Sequence, residues 1–247
     1  MSDLWYPAIV AVTFVAAGAV KGLTGLGLPM AAIGVLTFFT APRTAIALIL
    51  FPMLLTNAWQ VWRMGQVVPA LGRYSTFLIV LVVCVGTTAA LTSEVDDRVI
   101  LAALGIVLIS FSAVSLSFQV PRLPDRWDTK AQLIVGALSG VLGGLTSIWA
   151  PTMATYLHAR QVEKDEFVRA TGIMIFLGSI PLAISYAWNG VLTGPLASYS
   201  LALIIPSIIG FTLGEWLRAK LSAERFRLML LLLFIVVGLN LIRRALT

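Results

Sequence analysis

Two short segments of this chain combine helix-breaking residues with groups that bind anions. They read "KGLTGLGLP" at residues 21–29 and "TSIWAP" at residues 146–151, and each ends in a proline that opens another apolar stretch. Because proline suits the first turn of a helix, each segment predicts a break followed by a new helix N-terminus. Such an end presents N–H groups without intrahelical partners and about half a positive charge, so the two breaks predict an anion site. Lys21 adds a full positive charge to the first break.

Each candidate binding residue also has a plain structural explanation. Gly18 and Gly22, like Gly140 and Gly144, have the spacing of a helix-packing motif. Lys21 either faces a cavity or extends to a membrane interface, although a lysine at the midplane without an anion is costly. The threonines and the serine at the breaks either donate to an oxyanion or cap the broken helices.

Polar residues inside the apolar stretches complete the candidate set. Asn57 and Gln60 share one face of a predicted helix and either line the pathway or bond to neighbouring helices. Four tryptophans belong either to the aromatic belts or to pore walls: Trp59, Trp62, Trp149 and Trp188. The predicted substrate-binding residues are Lys21, Gly22, Thr24, Gly25, Gly27, Asn57, Gln60, Gly143, Gly144, Thr146 and Ser147, with Pro29 and Pro151 as the helix-breaking prolines.

The elements that hold these segments are membrane helices. The 247 residues are 59% hydrophobic and 11% charged, with a mean hydropathy of +0.97, whereas about a quarter of the residues of a soluble protein are charged. A helix needs about 20 apolar residues to cross a bilayer, so the sequence predicts an all-α polytopic membrane protein. The predicted spans are residues 44–62, 74–92, 99–118, 168–188, 196–217 and 228–242.

The chain also contains an internal duplication. The segment "GAVKGLTGLG" at 18–27 aligns with "GALSGVLGGL" at 136–145. This register pairs Lys21 with Ser139 and leaves four extra residues before Pro151. Further identities recur in order at a spacing of 125 residues. Two related halves are therefore predicted.

The basic residues test how the two breaks fold. If each break is the tip of a hairpin that returns to its starting side, twelve basic residues lie on one side and four on the other, leaving Lys21 aside. Eight full crossings would divide them seven to nine, which is no orientation signal. The hairpin arrangement therefore satisfies the positive-inside rule. The basic loops are residues 63–73, 119–130, 158–169 and 218–227.

Arm length favours hairpins that are re-entrant or broken. Residues 30–41 and 131–142 each form about 18 Å of helix, against a core of about 30 Å, while the arm at 4–20 nearly crosses. Each repeat then holds one Gly/Pro-broken hairpin and three transmembrane helices, and this odd number of crossings inverts one repeat relative to the other. The predicted organisation is a first repeat at 1–120 with hairpin 4–41, a linker loop at 121–130, and a second repeat at 131–247 with hairpin 131–160.

Absent motifs narrow the function class. The sequence has no G-x-x-x-x-G-K-[ST] loop, no G-x-S-x-G, no H-E-x-x-H and no carboxylate near the middle of a predicted span. We therefore predict neither enzyme activity nor a metal or other cofactor. The net charge of +6 is typical of a positive-inside membrane protein and predicts no nucleic-acid partner. An inside-negative potential drives anions outward by about 2.3 kcal/mol per charge per 100 mV, so transport without a coupling carboxylate favours export.

The segments around the two breaks resemble the sulfite exporter TauE/SafE family of membrane permeases. The resemblance rests on "GAVKGLTGLGLP" and "GALSGVLGGLTSIWAP", and on "APRTAIALILFPMLLTNAWQVWRMGQV" and "VRATGIMIFLGSIPLAISYAWNGVLTG", which follow them. It covers nearly the whole chain. It implies a permease that moves sulfite or an organosulfonate such as sulfoacetate across the cytoplasmic membrane, generally outward.

Together these observations predict a secondary transporter that exports a small anion by alternating access at a midplane site between two inverted repeats. An anion channel and a non-transport assembly or scaffold subunit are the alternatives. The predicted partners are a small anionic substrate and the lipid bilayer, and a homodimer is compatible with so small a permease. The predicted location is the bacterial inner membrane, as a multi-pass protein with periplasmic N- and C-termini.

Overall fold

The computed structural model describes residues 5–117, 121–218 and 223–247, and the regular elements within these ranges are all helical. Lys220, which was counted in the basic loop at 218–227, lies outside the described residues. The α-helices are α1 Trp5–Thr24, α2 Leu28–Leu36, α3 Pro42–Met64, α4 Val67–Arg73, α5 Ser75–Leu91, α6 Asp97–Ser117, α7 Asp128–Thr146, α8 Ala150–Ala159, α9 Lys164–Trp188, α10 Gly194–Ala202, α11 Ile204–Arg218 and α12 Ala223–Leu246, with 3₁₀ turns at Thr92–Glu94 and Asp125–Trp127.

The all-α, multi-pass character predicted from composition is confirmed. Among the described residues, six segments are long and apolar enough to cross a membrane, and five of them match predicted spans. The sixth is α1, which was predicted as a hairpin arm. The predicted span 74–92 corresponds to α5, which has 17 residues and is bent by 80° from α4. Helix α4 occupies most of the segment that was predicted as the loop 63–73.

Both predicted breaks are present, but the hairpin arms differ from the prediction. Helix α7 has 19 residues and α1 has 20, or about 28 and 30 Å, whereas the second hairpin was expected to begin with a twelve-residue arm. The difference arises because Gly140, Gly143 and Gly144 lie inside α7 rather than in the break. The returning helices α2 and α8 have only 9 and 10 residues. Each hairpin therefore joins an arm close to the length that crosses a membrane to one that is too short, and of the two longer arms only α1 is among the six candidate spans.

The helices assemble into two compact units, each built from both halves of the sequence. The first unit comprises Met1–Pro52, Asp96–Ser117 and Thr193–Thr247, and the second comprises Met53–Val95 and Phe118–Leu192. The boundary at Pro52 falls inside α3. The units therefore do not coincide with the predicted repeats, whose limits stay a prediction.

In the first unit, glycines bring α1 into direct backbone contact with α11. A Cβ atom on Gly18 would lie 2.9 Å from the amide nitrogen of Phe211, and one on Gly22 would lie 2.8 Å from that of Glu215. Helices α6 and α12 pack in the same unit, and a Cβ on Gly105 would lie 2.7 Å from the carbonyl oxygen of Gly238. These distances leave no room for a side chain, so the glycines set the separation of the helices.

In the second unit, α7 packs on α5 in the same way. A Cβ atom on Gly140 would lie 3.2 Å from the amide nitrogen of Val85, and one on Gly144 would lie 3.0 Å from that of Ala89. Each glycine lies between one carbonyl and the amide four residues later on the facing helix, as do Gly18 and Gly22.

A polar cluster joins the outer ends of α7 and α8 in the second unit. Arg160 pairs with Asp125 at 2.7 Å and with Asp128 at 3.1 Å, and the hydroxyl of Tyr156 donates to Asp128 at 2.8 Å. Gln132 donates to the same carboxylate at 3.1 Å. The guanidinium of Arg160 holds the pKa of Asp125 below its usual value. The cluster ties the two arms of the second hairpin together where they leave the apolar region.

Candidate paired helix-break site

The first break is a left-handed turn closed by the side chain of Thr24. Gly25 and Gly27 have φ values of +79° and +97°, which glycine adopts without strain. The hydroxyl of Thr24 donates to the carbonyl of Val20 at 2.8 Å, and the amide of Leu26 donates to that hydroxyl oxygen at 3.2 Å. Thr24 is therefore bonded within the break itself, before the N-cap Gly27, and makes no cap hydrogen bond to α2.

The first break leads directly into a buried helix N-terminus. Gly27 is the N-cap of α2, and Pro29 lies in its first turn. The amide of Ala31 donates to the Gly27 carbonyl at 2.9 Å, so the earlier N–H groups of α2 have no intrahelical acceptor. Lys21 lies one turn before the break and is 2% exposed.

The second break repeats this construction with a serine in the left-handed position. Ser147 has φ +60° and ends α7, with its amide bonded to the Gly143 carbonyl at 2.8 Å. The hydroxyl of Thr146 donates to Leu142 at 2.6 Å and accepts from the amide of Ile148 at 3.1 Å. This is the bonding pattern of Thr24. Both Thr146 and Ser147 are fully buried.

Helix α8 then begins as α2 does. Trp149 is its N-cap, and Pro151 lies in its first turn. The carbonyl of Trp149 accepts from the hydroxyl of Thr152 at 2.9 Å and from the amide of Met153 at 3.3 Å. Both predicted prolines therefore follow their breaks at matching helix positions.

These geometries correct the register of the duplication at the breaks. A spacing of 122 residues relates the left-handed Gly25 to Ser147, Thr24 to Thr146, and Pro29 to Pro151. The same spacing relates the two glycine pairs that contact the facing helices. The sequence alignment instead paired residues 118 apart and placed four extra residues before Pro151. The two registers therefore differ by four residues, or about one helical turn. Lys21 is therefore equivalent to Gly143 and not to Ser139.

The corrected register reveals an exchange of large and small residues. In the second break, the indole of Trp149 covers Gly143, and a Cβ atom there would lie 2.8 Å from Cζ3 of the ring. In the first break, the residue equivalent to Trp149 is Gly27 and the residue equivalent to Gly143 is Lys21. Each break thus has one large side chain, contributed from opposite sides of the turn.

The two predicted residues of α3, Asn57 and Gln60, lie in the second unit. Asn57 is 1% exposed and donates to the carbonyl of Met53 at 2.7 Å, and Ser147 approaches the Sδ atom of Met53 at 3.8 Å. Ser147 therefore lies close to the turn of α3 to which the side chain of Asn57 is bonded. Gln60 is instead bonded to the carbonyl of Val168 in α9 at 2.7 Å, which is the interhelical bond given as its alternative.

Four of the predicted glycines have distinct structural roles. Gly22 and Gly144 lie in helix contacts, as their packing explanation predicted, and Gly143 lies beneath an indole. Gly25 provides a left-handed turn. None of these roles shows whether a glycine contacts the substrate. Substrate contact therefore stays a prediction for all of the predicted substrate-binding residues.

Trp149 is a buried residue of the second break that was not among the predicted substrate-binding residues. Its side chain is 1% exposed, and its Nε1 atom has no hydrogen-bond acceptor in the part of the chain that the structure describes. Its proximity to the proline of the second break was the only sequence signal that separated it from the other tryptophans.

These observations define a multi-pass α-helical membrane protein with two broken helices of the same construction. The model of the sulfite exporter TauE/SafE family matches residues 10–241, which is nearly the whole chain, and the chain belongs to this family. The predicted family is therefore confirmed. Membership implies a membrane exporter of sulfite or a related anion rather than an enzyme. No match was found among curated proteins or among solved structures.

Proposed function

We propose that this protein is a secondary transporter that exports a small anion, sulfite or an organosulfonate such as sulfoacetate, by alternating access at a midplane site between two inverted repeats. The observation that carries the proposal is the pair of buried helix N-termini that follow two breaks with matching threonine hydrogen bonds. An end of this kind binds anions through its N–H groups and its dipole. Family membership supports the substrate class.

Lys21 supports the assignment of an anion to the first break. A lysine within an apolar span is costly to keep and marks a substrate pathway or a paired site. Lys21 is 2% exposed and lies one turn before the glycines of the break. We propose that its ammonium group contributes to substrate binding there.

The repetition of contacts supports the inverted-repeat part of the proposal. In element order, α1 and α11 in one unit correspond to α7 and α5 in the other, with the hairpin arm and its partner exchanged between the first and second halves of the chain. Transporters built from inverted repeats place discontinuous helices at their binding sites. We propose the same use for the two breaks here, in a protein of the bacterial inner membrane with periplasmic termini.

Flux measurements on purified protein in proteoliposomes test the transport proposal. We expect saturable efflux of radiolabelled sulfite or sulfoacetate, and counterflow when unlabelled anion is placed on the opposite side. An anion channel would give electrogenic flux that does not saturate at modest concentrations and no counterflow. A scaffold subunit would give no flux at all. Either result would contradict the transporter proposal.

Lys21→Ala tests the proposed site. We expect about a tenfold to a hundredfold increase in the Kd for the transported anion, because a hydrogen bond to a charged group contributes about 1.5–3 kcal/mol. Lys130→Ala is the matched control, since Lys130 is exposed and stacks on Trp127 at 4.7 Å. Equal binding and transport by the Lys21 variant and the parent would make Lys21 a packing or interface residue, and the proposed site would then be misplaced.

A further inference from the structure

The second break contains a donor that no acceptor in the described part of the chain satisfies. Trp149 is 1% exposed, and its Nε1 atom is buried without a hydrogen-bond acceptor among the described residues. Buried polar groups are almost always bonded, and an unsatisfied one is costly. An indole N–H only donates, so the missing partner must offer an acceptor.

The position of the indole is determined by its neighbours. The Cε3–Cζ3 edge lies on Gly143, and Cη2 lies 3.8 Å from the place of a Cβ atom on Gly178. Cε3 and Nε1 are bonded to opposite ends of the bond shared by the two rings. The N–H is therefore on the side of the indole away from α7, and the close contact at Gly143 prevents the ring from moving toward that helix.

The backbone next to the indole supplies further donors. Trp149 is the N-cap of α8, a helix of 10 residues, and the first intrahelical bond to its carbonyl comes from Met153. Pro151 has no N–H, so the donors of the first turn are the amides of Ala150 and Thr152. Ala150 is 5% exposed. The indole N–H therefore belongs to the residue that directly precedes this helix end, and both Trp149 and Ala150 are buried.

The two helices at the break carry no acidic residue near it. Helix α8 contains none, and the only acidic residue of α7 is Asp128 in its first turn. Asp128 is 18 residues before Thr146, which corresponds to about 27 Å of helix. No carboxylate from α7 or α8 therefore competes with an anion for these donors.

We infer that Trp149 Nε1 and the N-terminus of α8 form an oxyanion-binding subsite that takes the sulfite or sulfonate oxygens. This inference rests on the proposed function and deepens it, because it assigns substrate contact to a residue and a break with no cationic side chain. The subsite selects anions by their number of hydrogen-bond acceptors. An anion with several oxygens can accept hydrogen bonds from the indole N–H and from the backbone amides together. Lys21 has no counterpart here, since its equivalent is Gly143.

The test uses the whole protein in nanodiscs with ¹⁵N-labelled tryptophan. Sodium sulfite and sodium sulfoacetate are added at constant ionic strength, with sodium chloride as the reference, and the Kd of each anion is measured by calorimetry. We expect the anion to shift one indole N–H resonance of the parent downfield, and we expect that resonance to be missing from the spectrum of Trp149→Phe. We also expect the Kd of that variant to be roughly tenfold to hundredfold higher than that of the parent. Trp188→Phe is the control, because Trp188 is 89% exposed.

The possible results separate this inference from the proposed function. If the parent binds sulfite or sulfoacetate but Trp149→Phe binds it equally and the Trp149 resonance does not move, the inference is wrong and the transporter proposal stands. If the parent binds and transports neither anion, both fail. If Trp149→Phe does not fold, phenylalanine variants of the other six tryptophans assign the Trp149 resonance, and its response in the parent decides.

Discussion

At the scale of single residues, the two breaks share a left-handed residue at Gly25 and Ser147 but differ at the helix N-cap and in the side chain that fills them. Gly143 leaves room for the indole of Trp149, whereas the equivalent position in the first break is Lys21. Gly27, the equivalent of Trp149, has φ +97° and takes no bulky side chain without strain. Two breaks with the same threonine bonding thus hold a lysine in one case and an indole in the other.

Gly143→Ala tests the fit of the indole. The added Cβ would lie inside contact distance of the Trp149 ring, so we expect a loss of about 1–3 kcal/mol in the free energy of unfolding and a changed tryptophan emission spectrum. Gly178→Ala is the matched control, because its nearest contact would be an ordinary 3.4 Å to Leu81. Thermal unfolding in detergent measures both. Equal melting temperatures for the two variants would mean that the indole is not held against Gly143.

At the scale of elements, each hairpin is positioned by a glycine face rather than by interlocking large side chains. Apolar side chains gain little from packing against each other in lipid, so close backbone approach and shape determine which helices associate. The glycine pairs of α1 and α7 meet a carbonyl and an amide on the facing helix in the same arrangement. We conclude that the long arm of each hairpin packs tightly against one helix, α1 on α11 and α7 on α5, while the short arm begins at the break.

Gly22→Ala and Gly144→Ala test this helix contact. A Cβ at either position would meet backbone atoms, which cannot move aside as a flexible side chain can. We expect each variant to lose about 1–3 kcal/mol of stability. Gly86→Ala is the control, since its Cβ would lie 3.5 Å from the side chain of Pro181. A melting temperature unchanged by Gly22→Ala would contradict the close α1–α11 contact.

At the scale of the whole molecule, sequence halves and compact units divide the chain differently. Helix α3 passes from one unit to the other at Pro52, and helices from both halves contribute to each unit. A proline inside a helix removes one backbone hydrogen bond and permits a bend. The predicted orientation in the membrane is also a property of the whole molecule, because it follows from the twelve-to-four distribution of basic residues among loops along the whole chain.

Cysteine labelling tests the predicted orientation. Cys84 is the only cysteine, so a Cys84→Ala background allows single cysteines to be placed in turn. We expect Thr247→Cys to react with a membrane-impermeant maleimide in intact cells, and Thr129→Cys to react only after the inner membrane is permeabilised. Both positions are exposed, so burial does not explain a difference. The opposite labelling pattern would overturn the periplasmic assignment of the C-terminus.

What the sequence determined by itself is local in origin. Hydropathy identified five of the six apolar segments that are long enough to span a membrane among the described residues, because burial in lipid requires apolar residues along a whole helix. Glycine and proline located both breaks, because their effect on the backbone acts within a few residues. The quoted segments around the breaks were also enough to identify the family.

What only the tertiary structure decided depends on contacts between distant segments. The 118-residue register failed by one helical turn, because glycines four residues apart occupy the same helix face and look alike in sequence. The 122-residue register follows from the matching contacts of Gly18 with α11 and of Gly140 with α5, together with the matching hydrogen bonds of Thr24 and Thr146. The buried indole of Trp149 likewise depends on how α7 and α9 enclose it, since the same residue in an open segment would lie at an interface.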